Sequence, residues 1–172
     1  MPSDRNISPA GDPALPAEAS HPRFVDIFAY WRRKSPAGRL PGRQHLDPLE
    51  IPQLLRHVAL YDVVRGDGAL RFRARLVGTA AAEALGADNT GRFIDEIMPE
   101  KAYPDFHAAY SDVVQNRRLH YWERPLPFAN RDFLAIQRLA LPLAADGAMV
   151  DVVLACYVPV VHPALKNRPA AN

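Results

Sequence analysis

Cysteine is nearly absent. Cys156 is the sole thiol, so no intramolecular disulfide can form, and a reducing, cytoplasmic location is expected. Lysine is scarce as well. Arginine supplies nearly all the positive charge, and the net charge is only +2. A balance that small, spread over both ends of the chain, argues against nucleic acid as a partner. Long apolar runs are missing. The longest, Val152 to Val161, is interrupted by Pro159 and falls far short of the roughly 20 residues that span a bilayer, so no membrane partner is expected. The first 20 residues lack the apolar core of a signal peptide.

Catalytic signatures are missing too. Of five serines, three lie before residue 21, Ser35 is in a turn and Ser111 is mid-helix, and none has the Gly-x-Ser-x-Gly setting of a nucleophile elbow. The six histidines, His21, His45, His57, His107, His120 and His162, make no metal-binding spacing with each other or with Cys156. Gly66-Asp67-Gly68 lacks the lysine and helix of a phosphate loop and reads as a hairpin turn. Cys156 sits in the most apolar stretch and reads as packing. The sequence therefore predicts no catalytic residues and no metal site.

What is present suits a single α+β domain. The chain has 172 residues, of which 48% are hydrophobic. Residues 1–20, with four prolines, read as a disordered tail, 21–160 as the domain and 161–172 as a flexible tail. A helix is expected over about 22–34, because Phe24, Ile27, Phe28 and Trp31 share one face. Asp47, Pro48 and Glu50 start a short helix whose inner face is Ile51, Leu54 and Leu55. Residues 57–64 and 70–77 read as strands; in the second, Leu70, Phe72, Ala74 and Leu76 face one way and Arg71, Arg73 and Arg75 the other. Short helices follow at 80–85 and 93–97, and a longer one at about 101–116, with Tyr103, Phe106, Tyr110 and Val113 buried. Strands close the chain at about 119–128, 132–143 and 148–157, with turns at Asn130 and Asp146-Gly147. The last is apolar on both faces and belongs mid-sheet. The expected fold is five antiparallel strands with short helices on one face, preceded by an N-terminal helix.

That order resembles the PAS fold. It is similar in particular to a subgroup of PAS-like domains from alphaproteobacteria, once classed as a domain of unknown function. The matching pieces are Trp31, Leu40-Pro41-Gly42-Arg43, Leu46-Asp47-Pro48, Ile51-Pro52-Gln53-Leu54-Leu55, Arg73-Ala74-Arg75-Leu76-Val77-Gly78-Thr79, Gly86, Thr90-Gly91-Arg92 and Arg138-Leu139-Ala140-Leu141-Pro142-Leu143. The resemblance spans about residues 24–158. It implies a bacterial sensory or adaptor module that binds a small molecule or a partner protein, and it implies no reaction. With no output segment in the sequence, a homodimer and a separate signalling protein are the expected partners. The light-sensing flavin relatives carry a reactive cysteine where this chain reads Gly91-Arg92-Phe93-Ile94, which argues against flavin. Haem-binding relatives use a histidine on the long helix, and His107 keeps haem as an alternative. The cofactor is left unknown.

Candidate ligand residues are Arg75, His107, Tyr110, Tyr121, Trp122 and Arg138: half-polar aromatics beside an arginine, which also read as core. Arg75 either pairs with an acid such as Asp62 or anchors an anion. Phe24, Ile27, Phe28 and Trp31 are candidate interface residues, packing on the sheet or on a second subunit. Two other functions stay open: a small isomerase or hydratase built on Asp62 and His107, and a nucleic-acid binder using the arginine face.

Overall fold

The computed structural model describes residues 5–6, 13–125 and 134–161. The first helix, α1 (Pro22–Lys34), begins at His21, whose Nδ1 accepts from the Arg23 N–H, and places Pro22 at its first position. Arg32, Arg33 and Lys34 fill the last turn, where they complement the helix dipole. Two one-turn 3-10 segments follow, at Arg43–His45 and Pro48–Glu50, then the single-turn helix α2 (Pro52–Leu55). The one short helix expected from Asp47 onward is thus two turns. Pro52 has no N–H to continue the first, so Ile51 leaves helical geometry and the chain restarts. Asp47 caps as expected, accepting from the Leu49 N–H.

The strands are β1 (Arg5–Asn6), β2 (Val58–Val64), β3 (Arg71–Val77), β4 (His120–Pro125), β5 (Leu134–Leu143) and β6 (Val152–Val161), interleaved with helices α3 (Thr79–Leu85) and α4 (Tyr103–Asn116). They form one antiparallel sheet in the order β1-β4-β5-β6-β2-β3. Five strands make up the bulk of it, and the apolar β6 is central as its composition predicts. β1 corrects the expectation of a tail throughout residues 1–20: Arg5 and Asn6 pair with Tyr121 and His120, and Ala19 is fully buried. Residues 162–172 and the predicted turn at Asn130 lie outside the described residues.

The last strand starts at 152 and not at 148. Residues 144–151 form a broad turn, held by Gly147 N–H to Ala144 O, Asp151 N–H to Leu143 O, and Leu40 N–H to Gly147 O. The strand then runs through Pro159. The Tyr157 N–H points at β2, donating to His57 O, and position 159 points the same way, past the end of β2. No ladder bond is lost there, so proline is tolerated.

The two faces of the sheet are covered by different helices. Trp122, Ile136, Arg138, Tyr157, Tyr61 and Ala74 face α3, α4 and the 3-10 turn at Ile94–Glu96. Alternation turns Tyr121 the other way, where its ring meets Phe24 of α1 edge-on at 5.8 Å. The Trp31 indole N–H donates to Pro142 O at 2.9 Å. Pairing of β5 with β4 ends at Ala140, so that carbonyl has no partner in the ladder. Phe24, Ile27, Phe28 and Trp31 are all buried against their own sheet, at most 8% exposed. This corrects their placing at a subunit interface. The stripe takes the intramolecular alternative.

Candidate functional site

A cavity of about 320 Å³ lies between the sheet and the helical segments. It sits at the small end of the range of ligand pockets, roughly 300–1,000 Å³. Ile94, Ile97, Met98 and Phe106 supply its apolar wall. These residues converge for local reasons. Gly86, in the left-handed region at φ 90°, closes α3, and Gly91 at φ 87° reverses the chain toward the 3-10 turn. The Gly91–Phe93 stretch is then pinned along the edge of β3: Gly91 N–H donates to Ala74 O, and Ala74 N–H donates to Arg92 O. That aims Ile94 inward.

Arg138 stands in the opposite wall. Its side chain is fully buried, and none of Nε, Nη1 or Nη2 meets an acceptor with hydrogen-bond geometry among the described residues. Aromatic faces cover it: its guanidinium carbon is 4.2 Å from the Trp122 ring centroid and 4.4 Å from that of Tyr110. The Tyr110 hydroxyl lies within reach of the guanidinium, whose charge and N–H groups both act on it, but the contact falls short of an aligned hydrogen bond. Beside Arg138 runs a chain of three buried hydroxyls. Tyr61 Oη is 2.8 Å from Tyr157 Oη, which is 3.1 Å from Tyr110 Oη. Burial pushes all three phenols well above their ordinary pKa, with Arg138 pulling the other way, so they stay neutral donors.

Of the six ligand candidates, Trp122 and Arg138 line the cavity, and Tyr110 backs Arg138 from α4. The other three are corrected. Tyr121 is on the α1 face; burial pushes its phenol up to about 12. The His107 Nε2–H donates to Leu70 O at 2.8 Å, and its ring packs on Phe72 and Tyr103, outside the cavity lining. The haem alternative thereby loses the residue it rested on. Arg75 donates to Asp62 at 2.6 Å. It shares the face of Arg73, as alternation predicts, and a β-bulge begins there: Leu60 pairs with Leu76 but Tyr61 pairs with Ala74, leaving Arg75 as the extra residue. The bulge also breaks the predicted alternation, so Leu76 is exposed and Val77 reaches the cavity.

The other two readings do not assemble on these residues. Asp62 and His107 lie on opposite faces of the sheet, since Asp62 alternates with the cavity-lining Tyr61 while His107 packs on Phe72. Each arginine of the β3 row has a carboxylate: Arg71 has Asp95 and Glu96, and Arg73 and Arg75 share Asp62. Cys156 is buried as expected, and burial pushes its thiol up to about 12.

The sequence reading missed Tyr61 and Tyr157. Both sit in runs that are otherwise apolar, and a hydroxyl at a central strand position was the available signal.

A family model described as a PAS domain matches residues 19–158, which covers every element from α1 to the greater part of β6. The chain belongs to the PAS domain family. This PAS domain is also similar to the crystal structure of a sensory box histidine kinase/response regulator from Burkholderia thailandensis E264, at 15% identity and a TM-score of 0.41. That match covers 67% of this chain and 86% of the other. No curated protein matches it. Among the described residues, no helix is long and apolar enough to cross a membrane.

Proposed function

We propose that this PAS domain is a sensor that takes a small molecule into the cavity between its sheet and its helices and passes occupancy on to a separate signalling protein. One observation carries the reading: a fully buried arginine, with no aligned acceptor among the described residues, stands in the wall of a mostly apolar cavity. Buried polar groups in folded proteins are almost always satisfied. One left open beside a cavity of ligand size is a group waiting for a partner. The walls belong to α3, α4, β2, β3, β4, β5 and β6, so an occupant touches most of the domain at once. That suits a module whose task is to change its surface when filled. The domain carries no reaction of its own in this reading.

The test is a ligand-observed NMR screen of a small-fragment library against the wild-type protein and an Ile97→Trp variant. Ile97 lines the cavity and is only partly buried, so the larger ring fills space without breaking the core. Fragments should bind the wild type one-to-one and lose binding in the variant. Fragments that bind both proteins equally would place the ligand elsewhere and defeat the proposal.

A further inference from the structure

Resting on that sensory reading, we propose that the ligand is a small monocarboxylate with an apolar body, gripped at its carboxylate by Arg138 and one tyrosine hydroxyl.

Charge comes first. A guanidinium is never deprotonated in a protein, so Arg138 brings one full positive charge into the wall. Within the described residues, no carboxylate bonds to it. Asp105 also lines the cavity, but it is largely solvent-exposed and faces Arg124 at 3.8 Å. An anion therefore gains strongly by entering, and a neutral ligand leaves the guanidinium N–H groups open. A dianion is disfavoured in turn: Arg124, the other cation of the lining, already has Asp105 beside it, and the rest of the wall is mostly apolar.

Geometry comes second. The guanidinium sits with its carbon over the Trp122 and Tyr110 rings, whose faces offer it no hydrogen-bond acceptor of carboxylate strength. Its N–H groups lie in its plane as a fork, and a planar carboxylate accepts from such a fork through two parallel bonds.

A count of protons adds a third donor. Tyr61, Tyr157 and Tyr110 own three O–H protons between them and form two mutual bonds. One proton is left over. Tyr61 and Tyr157 both line the cavity beside Arg138, so the spare O–H can complete the grip on the carboxylate. Beyond the grip, Ile94, Ile97, Met98 and Phe106 offer only hydrocarbon, thioether and ring surface. Asn89, Asp105 and Arg124 are the remaining polar side chains of a mostly apolar lining, which matches an aliphatic or aromatic tail.

Benzoate, phenylacetate, isovalerate and octanoate, each paired with its carboxamide, are titrated calorimetrically into the wild type, Arg138→Met and Tyr61→Phe; unliganded melting temperatures are measured alongside. At least one acid should bind the wild type about tenfold or more tightly than its amide. Arg138→Met should weaken that acid about 10- to 100-fold, the loss of charged hydrogen bonds, and leave the amide unaffected. Tyr61→Phe should weaken it less. Arg138→Met should also melt higher than the wild type, by about 3 °C or more, because an unpaired buried charge is replaced by an apolar side chain of similar length. A residue kept only for structure would melt lower when replaced.

Acids and amides binding alike would overturn the monocarboxylate and leave the sensory reading standing. Acid binding that survives Arg138→Met would overturn the role of the arginine. If no acid binds and Arg138→Met melts lower, the inference fails, while the Ile97→Trp screen decides the sensory reading separately.

Discussion

Arg138 and Arg75 carry the same charge in the same sheet, and their surroundings give them opposite meanings. Arg75 is about half exposed and pairs with Asp62, which Arg73 also holds. Such a pair contributes about 0.2–1 kcal/mol. Arg75→Ala should therefore cost less than about 1 kcal/mol in urea unfolding and leave ligand binding unchanged; a large loss of affinity would return Arg75 to the site. Gly78 is a stricter position. A methyl group there would press on the Leu55 and Arg56 carbonyl oxygens, which are backbone and cannot swing aside. Gly78→Ala should destabilise the domain by about 1–3 kcal/mol, read as a lower urea midpoint at unchanged slope. At this scale the sequence was partly legible. An arginine beside half-polar aromatics pointed to Arg138, Trp122 and Tyr110, which the structure brings together. Tyr121 was misplaced because the face taken by each of two adjacent aromatics depends on register with β5, which no local pattern encodes. Arg75 took the alternative of pairing with Asp62, while nothing in Arg-Leu-Val-Gly announces the bulge that turns Leu76 outward.

Elements were more legible than residues. The 3.6-residue stripe of α1 and its proline start appear where the pattern put them. Its partner was not readable, since an apolar face fits a sheet or a second subunit equally well. The end of α4 is fastened by a clasp that sequence reading did not reveal. Arg117 turns into the left-handed region at φ 54°, which brings Arg118 back to Asp112 through Nε at 2.9 Å and Nη2 at 2.6 Å. Burial pushes the Asp112 carboxyl up, but Arg118 and Asn116 outweigh it and hold it below its ordinary pKa. The sign follows. The clasp contributes fully above the unfolded value, about 3.9, and is lost as pH falls through the lower folded value. Asp112→Asn should therefore cost about 1 kcal/mol at neutral pH and flatten the loss of stability below about pH 4, seen in urea midpoints across an acid series. An equal pH slope in both proteins would remove Asp112 from the account.

At the scale of the whole molecule, the fold class could be read from element order and the PAS-like pieces, while the cavity could not. Element order places helices against a sheet, but the space between them is the small difference between large packed volumes, set by where Ile94, Met98 and Trp122 come to rest. The central pairing of β2 with β6 has a consequence in time. Val58 pairs with Cys156, so almost the whole domain must leave the ribosome before the middle of the sheet can close. Contacts that distant in sequence make for slow folding, on the order of milliseconds to seconds. Tyr61 and Tyr157 come from those two strands, so the hydroxyl chain beside Arg138 does not exist until that last closure. A ligand held there cannot template the newborn chain. On the proposed sensory reading it would act afterwards, as a brake on unfolding, so that its presence would be read as a longer-lived protein as well as a changed surface.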